Sequence, residues 1–183
     1  MRARDPEKQQ RIKEATVRLI LREGIEGASV AKIAKEADVS PATIYIYYAN
    51  KDEMLSEVFR EYAHRSYRSL LDGVRPDMGG AELIDTLIRG YFAYSKENEE
   101  AFSFVEQCSR CPSLAEQATE TECCHEVFEL LHGYQSRGAI RMCSDTNLAA
   151  VLFAPVRFLA MQSDCGDKLD ELIAMLQTLL AYT

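Results

Sequence analysis

Apolar residues recur three and four positions apart along nearly the whole chain, and no alternation of β-branched residues survives for more than a few positions. The pattern therefore predicts an all-α protein. A first helix is expected over residues 6–23, with Ile12, Ala15, Thr16, Leu19 and Ile20 on one stripe and Gly24 at its end. Ser29 stands where an N-cap belongs, ahead of a stripe about two turns long formed by Val30, Ile33, Ala34 and Ala37. Ser40 followed by Pro41 starts a third short helix, running through about Tyr48: the hydroxyl satisfies unpaired amides, and proline at the first helical position loses no hydrogen bond. Asn50, with Glu53 three residues on, opens a fourth helix whose inner stripe is Met54, Leu55, Val58, Phe59 and Tyr62. Pro76, Gly79 and Gly80 break the pattern. Helices are expected again at about 81–96, 99–110, 112–137 with room for an interruption, 144–162 and 167–182, about nine in all.

Composition and charge narrow the picture. The 183 residues suffice for one compact body or a small module plus a larger one. With 47% hydrophobic and 27% charged residues the chain is globular, neither a disordered tail nor a membrane bundle. Its longest uncharged apolar run, residues 148–156, falls short of the ~20 residues that span a bilayer, and the charged start lacks the apolar stretch of a secretory signal. The expected location is cytoplasmic, with no membrane partner. The net charge of −8 argues against nonspecific binding to nucleic acid, but it is uneven. Residues 1–51 carry ten Lys or Arg against seven Asp or Glu, a net of +3; residues 52–183 carry eleven against twenty-two, a net of −11. A polyanion would be touched by the N-terminal quarter alone.

The informative stretch is residues 29–51: a short helix, a tight turn, a short capped helix, then a lysine heading a longer one. This is the outline of a helix-turn-helix. Its second helix must bury one face and offer the other to a major groove wide enough for one helix. Ile44 and Tyr48, four apart, fall on one face, whereas Ala42, Thr43 and Ile46 lie on the other, flanked by Tyr45 and Tyr47. Small, hydroxylated and aromatic side chains suit thymine methyls, base edges and phosphate oxygens. Lys51 begins a helix whose amides already favour an anion, so it is expected to grip a phosphate, with Ser29 and the Tyr47 hydroxyl as further phosphate contacts.

Residues 43–55, from Thr43-Ile44-Tyr45 through Tyr47-Tyr48 and Lys51 to Leu55, closely resemble the signature of TetR-type transcriptional regulators. The resemblance extends over roughly residues 8–60 and includes Gly24, Ser29 to Ala34, and Val39-Ser40. It implies an all-α homodimer with an N-terminal DNA-binding domain, 1–50, and a helical ligand-binding and dimerisation domain, 51–183, joined by a helix over 51–73. It implies DNA contacts by Ser29, Ser40, Pro41, Ala42, Thr43, Tyr45, Tyr47 and Lys51, a double-stranded operator, a small-molecule inducer, and dimerisation through the last two helices. Ile46 departs from the aromatic or polar residue usual at its place, and Tyr48 takes a place often held by phenylalanine and is expected to pack inward.

The remaining motifs have plainer readings. Cys108, Cys111, Cys123, Cys124 and His125 have the residue types of a tetrahedral zinc site but not a recognised spacing; inert, packed cysteines are the default, with metal or redox roles behind it, and no cofactor is expected. Tyr91, Phe92, Tyr94, Phe102, Phe104, Phe128, Phe153 and Phe158 read as bundle core. Of these, Tyr91, Phe92, Phe102, Phe128 and Phe153 are candidates to line a cavity for an apolar or aromatic inducer beside a helix disturbed by Pro155. The three histidines, His64, His125 and His132, have no evident catalytic partner, and no nucleophile triad or nucleotide loop is present, so an enzyme is not expected. The reading is a ligand-responsive regulator, most simply a repressor on a palindromic operator. The alternative is an interaction or scaffold protein whose helix-turn-helix no longer reads DNA.

Overall fold

The computed structural model describes residues 5–162, 165 and 167–182. These form ten helices: α1 (Pro6–Gly27), α2 (Val30–Glu36), α3 (Pro41–Tyr47), α4 (Lys51–Leu71), α5 (Gly80–Glu97), α6 (Glu99–Cys108), α7 (Pro112–Thr119), α8 (Glu122–Ser136), α9 (Asp145–Ala160) and α10 (Lys168–Leu180). Two elements differ from expectation. The helix expected over 112–137 is two helices, because the Thr121 side chain accepts from the Cys124 amide and starts α8 afresh; hence ten helices rather than nine. Gly24 does not end α1 but interrupts it, at φ 78° and ψ 169°, before a final turn to Gly27.

The caps follow the sequence closely. The Asp5 side chain accepts from the amides of Glu7 and Lys8 ahead of Pro6, Ser29 accepts from Lys32, and Ser40 accepts from Thr43 ahead of Pro41. At the head of α4, Asn50 Oδ1 accepts from the Glu53 amide at 2.8 Å, and Glu53 Oε2 accepts from the Ala49 amide at 2.6 Å. This reciprocal arrangement fixes where α4 begins. Asp38, between α2 and α3, takes φ 53°, a left-handed conformation that Asp tolerates better than most side chains.

The chain divides into two compact units, residues 1–63 with 100–120, and residues 64–99 with 121–183. In the first, Ile12, Ala15, Val17, Leu19 and Ile20 of α1 are buried with Ile33 and Ala34 of α2, Ile44 of α3, and Met54, Val58 and Phe59 of α4. Phe104 of α6 lies edge-on to Phe59 and Tyr62, with ring centroids 6.5 and 5.4 Å away, and the Gln107 side-chain Nε2 donates to the Ile20 carbonyl at 3.0 Å. Lys13 of α1 pairs with Glu61 of α4.

In the second unit α5 is packed against α9 and α10. Leu83, Ile84, Leu87, Ile88 and Tyr91 are buried with Leu148, Leu152, Phe153 and Val156, and with Ile173, Leu176 and Leu180. Gly80 fits where a side chain cannot: a Cβ there would stand 2.0 Å from the Ala139 carbonyl oxygen. That carbonyl accepts from the Tyr182 amide, and the Leu180 carbonyl accepts from the Arg141 amide, around an antiparallel bridge between Ile140 and Ala181. Among the described residues no helix is long and apolar enough to cross a membrane.

Candidate nucleic-acid interface

The turn at Asp38 and the cap at Ser40 set α3 on α2 with a division of faces that its seven residues make sharp. Ile44 and Tyr48 point inward as expected, Tyr48 being 1% exposed. Pro41 and Ala42 are exposed, Thr43 is half-buried, and Tyr45 and Ile46 are 56% and 48% exposed. The Ser40 and Thr43 hydroxyls lie 2.9 Å apart at the first turn.

Tyr47 is placed differently from expectation. It is buried, its ring 6.4 Å from that of Tyr48, and its hydroxyl accepts from the Asp5 amide at 3.0 Å and donates to the Asp5 carbonyl at 3.1 Å. The reason is helical geometry: position 47 is three residues from Ile44, so it shares the inward stripe. Asp5 is the site residue that sequence reasoning missed. Its carboxylate caps α1 while its backbone is held by Tyr47, so one residue fastens the start of α1 to the end of α3. The Pro6 helix-start signal marked its place but not its partner.

Lys51 is also engaged within the fold. Its ammonium donates to the Ile25 carbonyl at 2.9 Å, steadying the turn after Gly24. That bond uses one of three N–H donors and leaves the charge uncancelled, at the head of a 21-residue helix. Ser29 is exposed and its oxygen accepts from the Lys32 amide, a bond that does not use its own O–H. Nearby cations are balanced locally. Arg18 and Arg22 reach Glu36, and Lys32 reaches Glu23 at 2.6 Å. The Arg22 bond holds the Glu36 carboxyl, and the Lys32 bond the Glu23 carboxyl, below the usual carboxylate range.

The cysteines do not assemble into a metal centre. Among the described residues no three His, Cys, Asp or Glu side chains are placed to share an ion. Cys123 and Cys124, adjacent on α8, are both buried, and the Cys123 sulfur lies 3.5 Å from His64 Nε2. His125 is exposed. Burial pushes the Cys124 and Cys123 thiols up and carries Cys108 to about 12, which disfavours the thiolate that a metal needs. Cys111 is the exception, held below the ordinary thiol value by the Ser113 hydroxyl, 3.3 Å from its sulfur, and by the Leu114 amide.

The expected pocket aromatics are dispersed. Tyr91 and Phe153 meet edge-on at 5.4 Å in the core between α5 and α9, and Phe92 lies beneath the Lys96 ammonium. Phe102 is buried in the other unit, and Phe128 is half-buried on α8. Phe158, expected in the core, is instead 68% exposed, because α9 turns it away from the stripe of Leu152, Val156 and Leu159. It belongs with an apolar surface on α9 and α10 that also exposes Met161, Met175 and Leu179, and an open groove there is lined by Val151, Pro155, Leu172, Met175 and Leu179.

A short capped helix displayed on a helix-turn-helix, in an all-α chain, defines a DNA-binding module of the bacterial regulator type. Residues 12–58 match the family model described as bacterial regulatory proteins, tetR family, so this N-terminal segment resembles the TetR-type DNA-binding module. An uncharacterised helix-turn-helix transcriptional regulator of Haemophilus influenzae is 29% identical over 136 residues, 72% of this chain and 70% of that one. A nicotine-responsive transcriptional repressor of Paenarthrobacter nicotinovorans is 34% identical over 70 residues, 38% of this chain and only 36% of the relative. The fold is that of a TetR family transcription regulator from Marinobacter aquaeolei, with TM-score 0.84, 24% identity and full coverage of both chains. The matched family model and the relatives named are of transcriptional regulators.

Proposed function

We propose that the protein is a dimeric, ligand-responsive repressor that reads a palindromic operator with α3 and leaves it when a small molecule binds the helical body. The observation that carries this reading is the displayed face of α3: a capped helix with Ala42, Tyr45 and Ile46 outward has no use in a monomer's core and fits a major groove. Ser29, Ser40, Pro41, Ala42, Thr43, Tyr45 and Lys51 make the contacts, with Lys51 and Ser29 on phosphates. Tyr47 serves by holding α3 to Asp5, and its hydroxyl reaches a phosphate only by giving up that bond. Residues 1–50 act as the reading domain and 51–183 as the sensing and dimerising one, joined by the helix from residue 51.

Dimerisation through α9 and α10 is supported by their apolar surface: Phe158, Met161, Met175 and Leu179 are costly in water, and two copies of the helix pair make a four-helix bundle with two-fold symmetry. Such symmetry sets two recognition helices about 34 Å apart, one turn of DNA. The inducer is taken to be apolar or aromatic, in keeping with the aromatic side chains Tyr91, Phe92 and Phe153 of the helical body. That one relative is nicotine-responsive agrees with this chemistry. Release follows if the inducer prefers a dimer whose reading domains are spaced wrongly for the operator.

Selection of duplexes from a random pool by the full chain tests the reading. A palindromic consensus whose affinity falls steeply with salt supports it, and recovery of no duplex at low ionic strength sinks it. The intramolecular bonds of Tyr47 and Lys51 favour one rival, a scaffold protein on the same fold. Tyr45→Ala with Lys51→Ala separates the two: a regulator loses most duplex binding, and a scaffold is indifferent.

A further inference from the structure

The helix that would read the groove is Pro-Ala-Thr-Ile-Tyr-Ile-Tyr, without a single Arg, Lys, Asn, Gln, Asp or Glu. The side chains that recognise guanine or adenine through paired hydrogen bonds are therefore missing from it. Of its polar groups, the Thr43 hydroxyl already lies against that of Ser40 at 2.9 Å, and the Tyr47 hydroxyl is bound to the Asp5 backbone, so Tyr45 carries the outward phenol. What the helix displays instead is apolar. Ile46 is 48% exposed and Ala42, one turn earlier on the same face, is exposed beside it; Tyr45 adds its ring at 56%. A base edge offers one apolar feature in the major groove, the C5-methyl of thymine.

Resting on the DNA-reading function proposed above, we infer that α3 selects thymine by its C5-methyl groups, with Ile46 and the ring of Tyr45 as the specificity-determining side chains and Ala42 small enough to let the helix approach. Each operator half-site then presents at least one thymine methyl to Ile46. Affinity comes from charges outside α3, such as Lys51, while α3 contributes discrimination through shape and apolar burial. Two consequences are specific to this chemistry. Deleting a methyl from the DNA weakens binding although every hydrogen-bonding group of the base pair is retained. Trimming Ile46 removes that sensitivity without altering the number of phosphates neutralised.

The experiment uses the full chain and the consensus duplex recovered by selection, made with each thymine replaced in turn by deoxyuridine. Burial of one methyl is worth about fourfold, so the symmetric exchange of the critical thymine in both half-sites should weaken binding roughly sixteenfold. Ile46→Ala should bind the thymine and uracil duplexes equally at that position, Ile46→Val should keep most of the discrimination, and both should retain the parent's salt slope. Because Ile46 is exposed, unchanged thermal melts of both variants establish that folding is intact. Equal binding of all uracil duplexes by the parent protein, or full discrimination by Ile46→Ala, overturns the methyl reading while leaving DNA binding standing. Recovery of no duplex overturns both.

Discussion

Two cysteines three residues apart illustrate how far local surroundings decide chemistry. Cys108 is buried at the end of α6 and its thiol is pushed up to about 12, first by burial and then by the neighbouring Cys111. Cys111 has its sulfur against the Ser113 hydroxyl and the Leu114 amide, which favour its thiolate. A thiol-specific alkylating reagent near neutral pH should therefore modify Cys111 well ahead of Cys108, as peptide mapping by mass spectrometry will show; equal labelling would mean that Cys108 is not shielded. Tyr47 gives a second prediction. Tyr47→Phe removes the acceptor for the Asp5 amide and should cost about 1–2 kcal/mol, read as a lower midpoint in urea, while the Asp5 carbonyl keeps its bond from Gln9. The burial of Tyr47 was legible in principle, since three-residue spacing from Ile44 places it inward, but its hydrogen bonds join positions 42 apart and no local pattern encodes them.

At the scale of elements, starts were legible and stops less so. Ser29, Ser40 and Asn50 each cap the helix expected of them, because capping is a contact of two to four residues and is written in the local sequence. An interruption within 112–137 was allowed for, but its place at Thr121 and the extra turn after Gly24 were not legible, because both turn on competition between continuing and breaking a helix, which tertiary contacts settle. The inward faces of α1 and α4 followed from periodicity, but the exposure of Phe158 did not, since periodicity alone does not show which apolar residue a surface leaves uncovered. Gly80 is the sharpest case of a packing requirement. Gly80→Ala forces its new carbon into the Ala139 carbonyl, which also accepts from Tyr182, and should destabilise by about 1–3 kcal/mol. Gly79→Ala, whose added methyl would meet nothing within 4 Å, should melt close to the parent temperature in the same calorimetric scan.

The whole molecule combines an N-terminal surplus of positive charge with an acidic remainder, and an apolar surface on its last two helices. The proposed pairing of two copies through α9 and α10 predicts that Met175→Glu with Leu179→Glu, both at exposed positions, leaves helical content unchanged but gives a monomer in sedimentation equilibrium. Binding to a two-half-site duplex should then weaken roughly a hundredfold or more, since the second half-site no longer benefits from tethering. A variant that stays dimeric would move the interface elsewhere.

The fastening of Asp5 to Tyr47 has a practical side. Asp5 is held against Tyr47 at the C-terminal end of α3, the helix proposed to read DNA, so a purification tag or fluorescent fusion at the N-terminus should crowd the space that a duplex would need. A label for binding work is better carried at the opposite terminus, and an N-terminal fusion that weakens operator binding would be reporting obstruction by the label.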